Sequence, residues 1–333
     1  MKNVTECLLI MVYLLLWSSF SAFGSQVLEQ NITIDQHPVH YAEWNTEATK
    51  SDKSIILMLS GPSDTWHSDS AWWTGLGPKL AKNFRVIALD RAGQVNNLEN
   101  APVGYQHLAL DLHFFIEQMQ LDNLTIISFA SANIALNIYL NEHSGKVKKV
   151  IMLDPDVLTP YSISRYKKDA QPFVDNQHNY LEYVSAGKYV ARVEQKNAGE
   201  LAHLQKLVGD DPDMDWSYLH SMFDKRLSIQ NQLNMFKEIA LYGNDLDAAS
   251  VVEFPPSIPL AIIDTQFEKI YIEESEDAEE KAALIKWEAD AKQYYQSLID
   301  NVAQGRYIEV QSREHLFQFS EPQTIIDLVE KDF

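Results

Sequence analysis

Residues 122–155 read DNLTIISFASANIALNIYLNEHSGKVKKVIMLDP. Two strand-like segments, at 124–127 and at 147–153, the second ending in an apolar run at 150–153, flank a predicted helix at about 133–143. Apolar runs of this kind are typical of strands that are covered on both faces of a parallel sheet. The stretch therefore predicts a strand, a helix and a second strand parallel to the first.

The same alternation of strands and helices continues on both sides of this stretch. Alternating patterns predict two half-exposed antiparallel strands at 31–35 and 39–44. Further strands are predicted at 54–59, 84–89, 259–263 and 306–310, and further helices at about 77–82, 108–119 and 321–331. This order predicts an α/β fold with a doubly wound, mostly parallel sheet and any functional site at the carboxyl ends of the strands.

A helical insertion interrupts the predicted sheet. Between residues 157 and 252 the strand patterns give way to amphipathic helical segments. We interpret 157–252 as a helical lid inserted into one core formed by 25–156 and 253–333. A chain of 333 residues is long enough to bury such a core.

The first 24 residues have the pattern of a secretory signal. Lys2 precedes an apolar run at 8–20, and small residues follow at 21–25. We expect cleavage after Gly24, because the run is shorter than the roughly 18 residues that a membrane span requires. The alternative is a retained anchor. The protein is therefore expected to be periplasmic or secreted, without stable membrane association after cleavage.

Composition limits the chemistry and the partners of the exported protein. Its single cysteine, Cys7, lies in the signal segment, so no disulfide and no cysteine-ligated metal are expected. The close histidine pair His37 and His40 has no evident third ligand, and we predict neither a metal nor a cofactor. The net charge of −20 disfavours nucleic acid as a partner.

Three segments together resemble the α/β-hydrolase family. They are VIALDRAG at 86–93, the stretch 122–155 quoted above, and EHLFQFSEP at 314–322. Their order and spacing cover nearly the whole chain after the signal. The resemblance implies an α/β-hydrolase fold and an ester or amide hydrolase, with a nucleophile on a strained turn between a strand and a helix.

The nucleophile position of this family falls on an alanine. An ungapped register places Ala130 at the tip of the turn, with the small residues Ser128 and Ala132 two places on either side. Small residues are needed there because strand and helix approach closely. Since Ala130 has no oxygen that could attack a substrate, this register puts ordinary Ser-His-Asp catalysis in doubt.

A shift of one residue would make Ser131 the nucleophile instead. Its neighbours two places away would then be Phe129 and Asn133, and the phenylalanine would crowd the turn. The register with Ala130 at the tip is therefore favoured. In that register Ser131 opens a helix, where its hydroxyl is suited to accept from a free backbone amide.

The resemblance also implies a histidine with an orienting acid and an oxyanion loop. His315 matches the histidine. Asp156 is the preferred acid, because the proline before it ends the strand and directs its side chain into the cleft. Asp154 is an alternative, as are Asp264 and Glu268 after the next strand.

The predicted oxyanion loop is Gly61-Pro62-Ser63. Pro62 lacks an amide hydrogen, so a donor is missing if it occupies the donor position.

Three functions remain open on the sequence alone. The first is a hydrolase that uses Ser131 with His315 and Asp156. The second is a catalytically silent relative that binds a small apolar ester, amide or similar ligand, or a protein partner. In the third, His315 and its acid act as a general base without a covalent step.

Overall fold

The computed structural model describes residues 27–44, 54–61 and 68–331. The predicted signal segment, residues 1–24, lies outside these ranges, as do Pro62 and Ser63 of the predicted oxyanion loop. Within the described ranges, no helix combines the length and the apolar character needed to cross a bilayer. Export of the protein therefore stays a prediction from the sequence.

The described residues build one eight-stranded sheet with the order β1-β2-β4-β3-β5-β6-β7-β8. The strands are β1 Leu28–Ile34, β2 His37–Trp44, β3 Ile55–Ser60, β4 Arg85–Leu89, β5 Leu124–Phe129, β6 Val147–Leu153, β7 Leu260–Asp264 and β8 Gly305–Glu309. Strand β2 pairs antiparallel with β1 and β4, and every pairing from β4 to β8 is parallel. The predicted doubly wound, mostly parallel sheet is confirmed.

The helices lie between the strands and on both sides of the sheet. They are α1 Gly77–Leu80, α2 Tyr105–Gln118, α3 Ala132–His143, α4 Pro160–Asp175, α5 Gln177–Ser185, α6 Val190–Val208, α7 Trp216–Arg226, α8 Ile229–Ser250, α9 Glu268–Glu274, α10 Ala278–Asp300, α11 Phe317–Ser320 and α12 Pro322–Glu330. Short 3-10 helices cover Ser70–Trp73 and Ser144–Lys146. Helices α4 to α8 form an insertion between β6 and β7, within the range predicted for the lid.

The core lies on both faces of the sheet. Successive side chains of a strand point to opposite faces, and in β3 Leu57 and Leu59 join one apolar cluster whereas Ile56 and Met58 join the other. All four are fully buried. This burial on both faces explains why the strand appears in the sequence as an unbroken apolar run.

A buried arginine joins the insertion to the core. Arg226, at the end of α7, donates to both oxygens of Asp69, with Nε–Oδ2 at 2.7 Å and Nη2–Oδ1 at 2.9 Å. Its Nη1 donates to Glu200 Oε2 of α6 at 2.6 Å. Because all three side chains are almost completely buried, the network links two helices of the insertion to the segment before the first 3-10 helix.

A second buried network gives a testable pH dependence. His40 of β2 lies with Nδ1 at 2.7 Å from Asp90 Oδ2 and Nε2 at 3.3 Å from Glu29 Oε2. Burial opposes protonation of His40, but the hydrogen bonds to Asp90 and Glu29 outweigh it and raise its pKa from 6.5 to about 9. A pKa that is raised in the folded state stabilises the fold fully below pH 6.5, and this contribution is lost as the pH rises through 9.

We therefore expect His40→Gln to reduce the free energy of unfolding most at pH 6 and least above pH 9. Urea titrations of both proteins between pH 6 and 10 measure the difference. His178→Gln, at an exposed histidine of α5, is the matched control. A difference between wild type and His40→Gln that stays constant over this range would contradict the expected linkage.

Candidate active site

Ala130 occupies the turn between β5 and α3. Its φ is 48°, in the left-handed region that residues other than glycine rarely adopt. Ser131, with φ −57° and ψ −8°, is already helical. The turn is held by the hydrogen bond from Ala130 N to Leu153 O at 2.9 Å. The strained residue of the turn is therefore Ala130, and its side chain lines a cavity at the carboxyl edge of the sheet.

Gly61 lies directly against this turn. A Cβ atom on Gly61 would lie 2.6 Å from Ala132 N and 2.8 Å from Ser131 N, closer than packing allows. The Gly61 amide donates to Phe129 O at 3.0 Å. The end of β3 and the start of α3 thus approach each other with no room for a side chain, and the first amides of α3, which have no intrahelical acceptor, lie at this contact.

His315 bonds to Asp154, which was only an alternative in the sequence analysis. The two side chains meet with Nδ1–Oδ2 at 2.9 Å. Asp154 has φ 42°, is buried, and also accepts from Thr265 N and Thr265 Oγ1, each at 2.7 Å. These bonds fix the carboxylate, which in turn fixes the imidazole ring.

The preference for Asp156 as the acid beside His315 is corrected by this geometry. The Asp156 carboxylate accepts from the hydroxyl of Tyr242, a residue of α8. Its backbone amide donates to Asn133 Oδ1 at 3.1 Å. The left-handed backbone at Asp154 turns the chain immediately after β6, so Asp154, and not the residue after the proline, lies beside His315.

Ser131, His315 and Asp156, the predicted trio, do not form one hydrogen-bonded group: Ser131 and Asp156 bond to Tyr242, whereas His315 bonds to Asp154. Ser131 Oγ lies 3.4 Å from the hydroxyl of Tyr242, on the same side as Asp156. The other alternative acid, Asp264, accepts from the Tyr307 hydroxyl. Burial raises the pKa of Asp264 to about 7, with the Tyr307 bond opposing this shift and the charge of Asp154 adding to it.

A cavity of about 760 Å³, here called the main cavity, lies between the carboxyl edge of the sheet and helices α4, α8, α9 and α10. Its aromatic walls are formed by Tyr166, Phe173, Tyr242, Phe267, Tyr271, Trp287 and Tyr295. Ala130, Ser131, Asp154, Asp156 and His315 line the same space. Most of the walls come from the insertion and from α9 and α10.

The imidazole of His315 also lines a second space. Its ring lies between Phe129 and Phe267, with ring centroids 4.8 Å and 4.3 Å away. Beyond it is a small cavity of about 190 Å³. This small cavity is lined by Trp72, Phe129, His203, Phe267, Ile270, Tyr271, Arg313, Glu314, His315 and Leu316.

Two residues of the cavity wall, Tyr242 and Glu268, could not be assigned to it from the sequence. Tyr242 comes from the insertion, where no motif marks it. Glu268 was predicted only as a possible acid for His315, because it follows the strand β7. Among the described residues, no group of three or more histidine, cysteine, aspartate or glutamate side chains has an arrangement that could hold a metal.

Comparison with known proteins identifies the fold. No family model and no curated protein matches the chain. The epoxide hydrolase CorEH is 14% identical over 91% of this chain and 97% of its own, with a TM-score of 0.59. An α/β-hydrolase fold protein from Burkholderia ambifaria is 14% identical over 92% and 98%, with a TM-score of 0.57.

A serine hydrolase from Cycloclasticus zankles is also similar, at 15% identity over 92% of this chain and 97% of its own, with a TM-score of 0.57. The protein therefore has the α/β-hydrolase fold, which confirms the resemblance found in the sequence.

Proposed function

We propose that this protein binds a small, mainly apolar molecule in the main cavity and carries out no covalent serine hydrolysis there. The observation that carries the proposal is Ala130 at the strained turn, with φ 48°. In this fold that turn presents the nucleophile. A methyl group at this place can form no acyl-enzyme.

Ser131 does not replace the missing nucleophile. A serine is activated when its hydroxyl lies within hydrogen-bond reach of a base. Ser131 Oγ faces the Tyr242 hydroxyl at 3.4 Å, whereas the His315 imidazole is held by Asp154. Ser131 belongs to the start of α3 and not to the tip of the turn, the place at which this fold presents a nucleophile.

The main cavity has the size and walls of a ligand site. Ligand pockets commonly enclose about 300–1,000 Å³ and are lined by apolar and aromatic side chains with a few polar groups. The volume of about 760 Å³ lies within that range. Aromatic walls and a few polar groups near Ala130 and His315 match this description.

Two measurements test the proposal together. We expect a fluorophosphonate probe to leave the wild-type protein without an adduct in intact-mass spectra. We also expect a fragment library to contain ligands whose binding is lost in Ala170→Phe, which fills the cavity from α4. Ala198→Phe, at an exposed alanine of α6, should bind them normally. An adduct on Ser131, or ligands insensitive to Ala170→Phe, would contradict the proposal.

The His315–Asp154 pair favours a second candidate function. An imidazole oriented by a buried carboxylate can act as a general base on a bound molecule without a covalent step, a contribution of about 100-fold to 10,000-fold. The observation that supports this second function is the 2.9 Å contact between His315 Nδ1 and Asp154 Oδ2. If cavity ligands are converted, His315→Gln should slow conversion by about 100-fold to 10,000-fold and leave binding within a few-fold. Unchanged conversion in His315→Gln would exclude it.

A further inference from the structure

The hydrogen bonds around His315 use only one of its two ring nitrogens. Nδ1 lies 2.9 Å from Asp154 Oδ2, and the Asp154 carboxylate also accepts two hydrogen bonds from Thr265. Because a carboxylate can only accept, the proton of a neutral imidazole lies on Nδ1 and Nε2 carries a lone pair. No group among the described residues donates a hydrogen bond to Nε2.

Nε2 lies on the part of the ring that the neighbouring side chains leave uncovered. Phe129 and Phe267 pack against the ring, with centroids 4.8 Å and 4.3 Å away, and Asp154 bonds to the edge that holds Nδ1. The His315 side chain nevertheless keeps 24% of its surface exposed. The edge that holds Nε2 is therefore the part of the ring that can accept a hydrogen bond from a bound molecule.

Ala130 leaves this acceptor without the partner that the fold usually provides. In α/β-hydrolases the histidine accepts from the hydroxyl of a nucleophile at the strained turn. Here the turn carries the methyl group of Ala130, which lines the main cavity together with His315. Since an acceptor without a donor is costly once water is displaced from it, a ligand with a hydroxyl at this place gains a hydrogen bond that the protein itself does not make.

A second chain of hydrogen bonds in the main cavity has the same direction. The Tyr242 hydroxyl donates its one proton to the Asp156 carboxylate. Burial and the charge of Asp156 raise the pKa of Tyr242, so the phenol is protonated at neutral pH. Ser131 Oγ lies 3.4 Å from that hydroxyl, and its proton is directed to the Tyr242 oxygen because the phenol proton is already used. The lone pairs of Ser131 are then left for a donor.

Both chains end on a carboxylate, and both present acceptors to the cavity. Ketones, ethers and esters cannot donate to these acceptors, and an anion would be repelled by Asp154 and Asp156. A hydroxyl group can donate to them. It can also accept from Tyr166, whose hydroxyl accepts from Val157 N at 3.2 Å and from Trp287 Nε1 at 3.0 Å and so keeps its own proton for a ligand.

We propose that the ligand of the main cavity is a neutral, mainly apolar alcohol whose hydroxyl lies at Ala130 and donates to His315 Nε2. This inference rests on the proposed ligand-binding function and names the class of ligand. Its consequence is that an alcohol binds more tightly than its own methyl ether, which has the same carbon skeleton but no proton to donate. A hydrogen bond of this kind changes affinity by about tenfold.

Calorimetric titration with 3-phenyl-1-propanol and its methyl ether tests the inference. We expect the wild-type protein to bind the alcohol about tenfold more tightly than the ether. His315→Phe keeps an aromatic ring at this position but has no acceptor, so the two probes should bind it with similar affinity. His220→Phe, at an exposed histidine of α7, should keep the difference seen in the wild type.

Ala130→Ser occupies the same acceptor from the side of the protein. Its new hydroxyl should bond to His315, and the advantage of the alcohol over the ether should disappear. Ala198→Ser, at an exposed alanine of α6, should keep that advantage, and thermal unfolding reports whether each variant is folded.

Three results would overturn the inference. They are equal binding of ether and alcohol to the wild type, binding of neither probe, and an alcohol advantage that survives in His315→Phe or in Ala130→Ser. Library ligands sensitive to Ala170→Phe would still support the proposed function in each of these cases.

Discussion

Replacing Ala130 with serine is expected to create a site that reacts with fluorophosphonate. The new hydroxyl would stand at the strained turn, in the cavity that His315 also lines. His315 is already oriented by Asp154 at 2.9 Å, and Gly61 already allows the close approach of β3 and α3. Since a general base contributes about 100-fold to 10,000-fold, labelling should be faster by about that factor than in Ala130→Ser/His315→Ala.

Intact-mass spectra over time measure the rate, and peptide mapping locates the adduct. The double variant Ala130→Ser/Ser131→Ala should react as the single variant does, because Ser131 is directed to Tyr242. A folded Ala130→Ser protein that stays unlabelled would show that the turn no longer supports a nucleophile. An adduct on residue 131 would show that Ser131 is the reactive group.

Arg226→Met is expected to lower the free energy of unfolding by about 3–5 kcal/mol, the range found when one partner of a buried ion pair is removed. Asp69 and Glu200 would remain buried with no cation between them. The guanidinium also lies over the rings of Trp72 and Phe223, at 5.0 Å and 4.5 Å from their centroids, so the change removes cation–π contacts too.

Urea-induced unfolding, followed by tryptophan fluorescence, gives the free energy. Lys82→Met is the control, because Lys82 is an exposed lysine that bonds to Asp213 at 2.7 Å and exposed pairs contribute at most about 1 kcal/mol. A loss in Arg226→Met no larger than in Lys82→Met would mean that the buried network does not hold the insertion to the core.

The fold was predictable because burial on both faces leaves a direct trace in the sequence. Mainly apolar segments such as 54–59 and 124–127 mark strands with no solvent-facing side, and the structure has β3 and β5 there. The turn at Ala130 could be located in the sequence for a steric reason, since residues two places from its tip must be small. Both arguments depend only on nearby residues.

The cavity wall is formed by contacts between residues that are far apart in the chain, and local sequence patterns do not predict such contacts. Tyr242 meets Ser131 across 111 positions of the chain, from a helix whose apolar spacing gives no hint of this contact. The choice between Asp154 and Asp156 depends on one backbone angle, the φ of 42° at Asp154. An aspartate can adopt this angle more readily than most residues, but its presence in the sequence does not require it.

His315 is shared by the walls of two cavities, together with Phe267 and Tyr271. Its ring belongs to the wall of the main cavity and to that of the small cavity behind it. Turning the ring aside would break the bond to Asp154 and disturb its packing against Phe129 and Phe267. Asp154 therefore fixes the part of the cavity wall that His315 forms, so removing its carboxylate would change the shape of the ligand space as well as the orientation of the imidazole.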